Sequence, residues 1–266
     1  MFFYIKMVKI HNKRNNAGML FHYAHFLCDC LYPEIINKVY RFDTIHRLKS
    51  LEQTLGNFSK IYEDVMQNKS VELNKKRFDE IKGRPIVLPN KNAYKTVWHM
   101  NVFRNYIFNR YNIEPNEYLQ NSPKVILVKR GKRVPLIKDP ILKSINKNVT
   151  NGAERREIKG INKIERFFKK KYSHNFEAVY LEEKTFEEQV KLFNNAKLIV
   201  LAHGAAMSNM FFCKKGTKIV EVTCNKRWPF FDVISSRLKL KHIKIHKNEP
   251  KHIIHIVSKL RINLRK

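Results

Sequence analysis

The most regular patterning in the chain lies between residues 124 and 222. Short apolar runs at 124–129 (KVILVK), 176–181 and 198–201 read as strands. The run at 198–201 is typical of a parallel strand covered on both faces. Helical spacing fills the gaps between them. The stretch 153–171 is one such segment, and Phe186, Val190 and Phe193 recur at i, i+4 and i+7 in the next. Thr185 and Glu188 stand in capping-box spacing at the start of that helix, each able to satisfy an orphan N–H of the first turn. Residues 202–206 are small apart from His203, so the backbone can turn sharply there before a second helix carrying Met207, Met210 and Phe211. Lys214, Lys215 and Gly216 suit the end of that helix, and 218–222 reads as the next strand. Strand–helix alternation of this kind predicts a small doubly wound α/β domain over 120–245. A basic helix at about 250–263 follows Pro250, within a terminal segment 246–266.

The first part of the chain is less regular. Residues 2–10 read as a strand. Residues 19–41 read as a helix divided at Pro33, with Leu20, Leu27, Leu31, Ile35 and Val39 along one side. A further helix fits 43–56, and the stretch 57–83 is charged and poorly periodic. A short strand fits 85–89, and an amphipathic helix fits 94–111, with Val97, Met100, Phe103, Ile107 and Tyr111 on one face. Pro115 to Pro123 reads as a linker, so residues 1–119 are expected to form a second α/β unit.

Composition adds one strong feature. The formal net charge is +30, from 53 Lys+Arg against 23 Asp+Glu. Such an excess attracts phosphates, whether in nucleotide, anionic membrane or nucleic acid. Lys, Asn and Ile also dominate in AT-rich genomes, such as those of large viruses and low-GC microbes, where lysine fills solvated faces. The scatter of lysines over the whole chain leaves both readings open. The four cysteines, Cys28, Cys30, Cys213 and Cys224, form no CxxC pair and fit buried thiols of a reducing compartment. No run of about 18 apolar residues occurs, and the start MFFYIKMVKI fits neither a signal peptide nor a span. The expected location is the cytoplasm, with any membrane contact peripheral and directed at anionic lipid.

Three groups carry candidate chemistry. The first is the turn His203–Asn209, which leaves a strand and opens a helix. α/β proteins bind ligands at the carboxyl ends of parallel strands, and phosphates at helix starts. His203 and Gly204 are the centre of this candidate site, with Ala205, Ser208 and Asn209 beside them. The alternative is that His203 caps the helix or packs in a polar corner, and that Ser208 and Asn209 cap its first turn. The second group is Lys129, Arg130, Lys132 and Arg133, at the corresponding end of the strand 124–129. Arginine forks bind phosphate oxygens well, and position favours Arg130 and Arg133 over a merely solvated basic loop. The third is HYAHFLCDCLYPEI at 22–35. His25 and Asp29 are four residues apart and would share an α-helical face, as a base pair for a hydroxyl or as a satisfied core histidine. Two ligands at this spacing make a poor metal site.

These groups, in this order, resemble glycosyltransferase family 61. The densest likeness is EQVKLFNNAKLIVLAHGAAMSNMFFCKKGTKIVEV at 188–222, which is similar to the family's HGAG-containing phrase. His25, Phe26, Asp29 and Pro33 resemble an earlier family phrase, and Arg130 with Arg133 a second. Ala206 and Ser208 stand where the family usually has glycine and threonine, and the loop after Arg133 lacks the family's frequent Asn-Glu. The resemblance implies a GT-B-like fold of two facing Rossmann-like domains, with a mostly parallel sheet in the second. It implies an inverting transfer from a nucleotide-sugar donor, a UDP-sugar above others, to a hydroxyl of a glycan, glycolipid or protein. His203, Gly204, Ala205, Ser208 and Asn209 would line the donor, and Arg130 and Arg133 would neutralise its diphosphate without a metal or other cofactor. Glu221 would accept from the ribose hydroxyls or be an ordinary strand-end glutamate. His25 or Asp29 would be the base. The competing readings are a basic nucleic-acid-binding protein, although no RNP, KH or zinc-finger pattern is present, and a catalytically degenerate homologue that only binds sugar nucleotides.

Overall fold

The computed structural model describes residues 23–32, 35, 58–67, 97–115, 118–119, 122–131, 156–223 and 230–264. The chain divides into two units, Met1–Ile107 with Pro135–Thr150, and Phe108–Val134 with Asn151–Lys266. The strands expected at 2–10 and 85–89 and the helix expected at 43–56 lie outside the described residues.

In the first unit, a helical turn α1 (Tyr23–His25) runs into a π-helix (Phe26–Leu31). The expected α-helix thus widens to i→i+5 bonding at the segment carrying Asp29. A four-residue offset across this junction is no longer the spacing of one α-helical face. Residues Ser59–Met66 form a helix, α2, inside the stretch read as unperiodic. Its buried side is short: Tyr62, Val65 and Met66. Phe26 stacks on Phe58 at 4.9 Å between centroids, which seats the π-helix beside the start of α2. The helix α3 (Val97–Arg110) buries Met100, Phe103 and Ile107, as its periodicity predicts.

The second unit is a five-stranded sheet with a layer of helices on each face. Its strands are β1 (Val125–Lys129), β2 (Phe176–Tyr180), β3 (Leu198–Ala202), β4 (Lys218–Val222) and β5 (Lys241–Ile245). All pairings are parallel, in the spatial order β2-β1-β3-β4-β5. The chain therefore steps outward from β1 to β2, then returns and steps the other way from β3 to β5. The reversal lies between β1 and β3, the place where doubly wound sheets hold ligands. Val125, Leu127, Leu198, Val200, Val220 and Ile245 point to one face and pack against α4 (Ile161–Tyr172) and α7 (Pro250–Lys259). The terminal helix is thus part of the sheet's core through Ile253 and Val257. Strand alternation sends Ile199, Leu201, Ile219 and Glu221 to the other face.

Local signals explain the helix after β2. Thr185 caps α5 (Phe186–Asn195), and the capping box with Glu188 is formed in both directions. Glu188 is held below the usual carboxylate range by the Thr185 backbone and side-chain hydrogen bonds. The stretch read as a linker is instead tied to the end of α5. Asn195 Oδ1 accepts from Leu119 N at 2.7 Å, and its Nδ2 donates to the carbonyls of Ser122 and Pro123. Asn194 Nδ2 donates to Glu114 O at 3.3 Å. Two consecutive amides at a helix end satisfy backbone groups of a segment that has no ladder of its own. The cysteines Cys28, Cys30 and Cys213 are buried thiols. Among the described residues no helix is long and apolar enough to cross a membrane.

Candidate functional site

The site is built at the carboxyl ends of β1 and β3. Residues 205–212 form a 3-10 helix rather than the α-helix expected, opening directly after Gly204. Gly204 has φ 157° and ψ −165°, a region that is essentially glycine's own. A Cβ at this position would collide with Nη2 of Arg130 and would lie 3.9 Å from Nη1 of Arg156. The missing side chain is what lets the Arg130 guanidinium approach the turn, with Arg156 beside it at ordinary contact distance. Arg130 is the first residue after β1, so the two ends that meet here are those flanking the reversal of strand order. Arg156 Nη1 also donates to the His203 carbonyl at 3.3 Å.

His203 follows β3, and its N–H donates to Val222 O at 2.9 Å, extending the ladder by one residue. Alternation puts its ring on the same face as Leu201 and Glu221. There His203 Nδ1 meets Glu221 Oε1 in a short hydrogen bond. The other carboxylate oxygen, Oε2, accepts from Nε2 of His242 at 2.7 Å. The ring edge of His203 rests on Phe231, 5.6 Å between centroids. Glu221 is 2% exposed. Burial pushes its proton affinity up, but the hydrogen bonds from His203 and then His242 outweigh burial and hold it at about 2. An ionised carboxylate only accepts, so Nδ1 of His203 carries the hydrogen and Nε2 is the ring atom left for a ligand. Both oxygens of Glu221 are engaged by imidazoles, a different task from the ribose contact the sequence suggested.

The other expected residues distribute as follows. Ala205 and Ala206 are half-buried at the start of the 3-10 helix. Ser208 is buried, and its Oγ has no hydrogen-bond partner among the described residues. Asn209 is buried, and its Nδ2 donates to Gln189 Oε1 at 3.1 Å. Gln189 in turn donates to the carbonyls of Leu181 and Lys184, so Asn209 ties the 3-10 helix to α5. Lys129 is not directed at the turn: it pairs with Glu165 at 3.0 Å and lies over the Tyr180 ring. Arg133 lies outside the described residues, as do the side chains of His25 and Asp29. Among the described residues no group of three or more His, Cys, Asp or Glu is placed to hold a metal ion.

The positive ends at Gly204, the glycine-only turn and the histidine beside it form one phosphate-compatible surface at the reversal point. A protein-family model described as Glycosyltransferase 61 matches residues 23–220. The chain belongs to glycosyltransferase family 61. The matched span takes in α1, the π-helix and the second unit's sheet as far as the middle of β4. Comparison with curated proteins gave no match. The all-parallel five-stranded sheet is consistent with a Rossmann-like glycosyltransferase, and family membership makes this chain an enzyme with a donor and an acceptor substrate.

Two residues of this candidate site escaped the sequence. Arg156 sits among neighbouring cations of a lysine-rich chain, and no spacing rule separates it from them. His242 was legible in principle: in a parallel β5 it falls on the same face as Glu221, once the register Glu221 to Lys244 is known. That register is a product of pairing, not of local sequence.

Proposed function

We propose that this enzyme transfers a sugar from a nucleotide-sugar donor, a UDP-sugar above others, to a hydroxyl of a glycan, glycolipid or protein, with inversion at the anomeric carbon. The observation that supports it is the convergence of Arg130 and Arg156 on Gly204, beside a histidine whose Nδ1 is committed to Glu221. In such a transfer the glycosidic bond to the diphosphate breaks as the acceptor oxygen attacks. Negative charge grows on the leaving phosphate oxygen, and fixed positive groups at that point lower the barrier. Guanidinium forks match phosphate oxygens bidentately, and here they would do the work that a divalent cation does elsewhere. His203 Nε2 would face the diphosphate or sugar. Glu221 would serve by holding His203 rather than by touching the ribose. Activity should therefore persist in excess chelator.

In this reading the second unit is the donor half of a GT-B arrangement and the first unit the acceptor half. The base that takes the acceptor proton is assigned to the first unit, to His25 or Asp29. The test is a thermal-shift screen of the full chain against UDP-, GDP- and dTDP-sugars, followed by donor hydrolysis and transfer assays. A donor present at 100 times its Kd adds about 2.7 kcal/mol of stability. Binding should be lost in Arg130→Ala. Absence of binding by every nucleotide sugar at millimolar concentration would refute the proposal.

A further inference from the structure

The hydrogen-bonded chain that begins at His203 continues beyond Glu221. His242 Nδ1 lies 3.2 Å from Asp232 Oδ1 and 3.3 Å from Ser235 Oγ, both in α6 (Phe230–Arg237). Lys244 closes the far end through an ion pair to Asp232 Oδ2. Five side chains from three strand ends and one helix thus run in series: His203, Glu221, His242, Asp232, Lys244.

Hydrogen positions follow from what each neighbour can offer. Ser235 Oγ donates its hydrogen to the Asp232 carbonyl at 3.0 Å, so it presents a lone pair to His242. Asp232 offers an acceptor to the same ring nitrogen, and on the opposite side Glu221 Oε2 does so to Nε2. Both nitrogens of His242 thus face acceptors, an arrangement suited to a hydrogen on each. The ring is seated between two carboxylates.

We infer that His242, clamped by Asp232, is a positioning residue for the donor site: it locks the Glu221 carboxylate and through it the Nδ1–H tautomer and ring orientation of His203. The inference rests on the donor-site reading of His203 and names residues that reading does not use. The physical reason is charge balance in a buried site. Arg156 at the His203 carbonyl and Arg130 at Gly204 oppose a further positive charge on the His203 ring. Glu221, left with His203 as its single partner, would draw one there. His242 supplies that charge from behind, with Asp232 and Lys244 balancing it in turn. His203 then stays neutral and keeps an Nε2 lone pair, able to accept from a hydroxyl of the ligand. Supporting partners of this kind fix imidazole tautomers in metal and triad sites, and their loss costs about 10–100-fold in activity or affinity in metal sites.

The test uses the full chain labelled with 15N-histidine, with ring signals assigned through His203→Gln and His242→Gln. Two-bond proton–nitrogen correlations should show His203 protonated at Nδ1 and His242 protonated at both nitrogens. In His242→Leu the His203 ring should lose its single tautomer. Turnover should fall by about 10–100-fold with donor KM nearly unchanged, whereas His242→Gln, which can still donate to Glu221, should recover part of the loss. A neutral His242, or His203 protonated only at Nε2, overturns the inference without any variant having to be active. So does a His242→Leu enzyme with normal kcat and an unchanged His203 tautomer. Failure of the wild type to bind any nucleotide sugar, with the ring signals as expected, instead counts against the donor-site reading.

Discussion

Glu221→Gln isolates the electrostatic content of the site. In the folded chain the carboxyl falls from an ordinary 4.5 to about 2, although burial alone would raise it. A tenfold change in proton affinity corresponds to ~1.4 kcal/mol, so the ionised form is favoured by folding by ~3 kcal/mol. Because the folded value is depressed, this stability is fully present above about pH 4.5 and is lost as pH falls toward about 2. Glutamine keeps the shape but carries one acceptor and one donor. Its NH2 must then face a ring N–H of His203 or His242, which leaves a buried donor unmet. Urea unfolding followed at neutral pH should place Glu221→Gln ~3 kcal/mol below wild type, with an unchanged m-value. Repeated at intervals down to pH 3, the gap should narrow steadily, because only the wild type loses stability through this carboxyl. Equal stability at neutral pH would refute the reasoning, and so would a gap that does not change with pH.

Arg156→Ala removes one of the two guanidiniums at the turn and should weaken nucleoside-diphosphate binding at least tenfold by calorimetry, with the fold intact by circular dichroism. Gly204→Ala forces a residue with a Cβ into glycine's region at about 1–3 kcal/mol and displaces the Arg130 guanidinium, so melting temperature and donor affinity should both fall. Thr185→Ala removes the α5 cap and should cost about 1 kcal/mol in urea unfolding without altering donor affinity, since the cap lies on the helix start and not at the turn.

The turn at 203–204 was readable because its causes are local. An apolar run, a glycine and small neighbours specify a strand that ends in a tight turn, and the capping box at Thr185 sets where the preceding helix begins. The helix α3 likewise followed from periodicity and α7 from Pro250 at its start, while α4 begins at Ile161, later than the 153 expected. The 3-10 form of 205–212 was not readable, since the sequence offers helical spacing without saying how tightly the turns close. The π-helix at 26–31 hid for the same reason, and it alters the offset on which the pairing of His25 with Asp29 was argued. The segment 115–123 read as a linker because it runs from one proline to another without periodicity, whereas the amide of Asn195, more than 70 residues away, holds it to the sheet unit.

The sequence alone determined that a parallel α/β unit would present His203 and Gly204 at one strand end and Arg130 at another, because strand period, strand length and turn residues are properties of neighbours along the chain. The tertiary structure decided that these two ends flank the reversal of strand order, that Arg156 joins them, and that Glu221 turns inward to two histidines. Those facts depend on which strands pair and in what register. Pairing is fixed by the burial of whole faces, a sum over residues far apart, and one step of register would turn Glu221 and His242 away from each other.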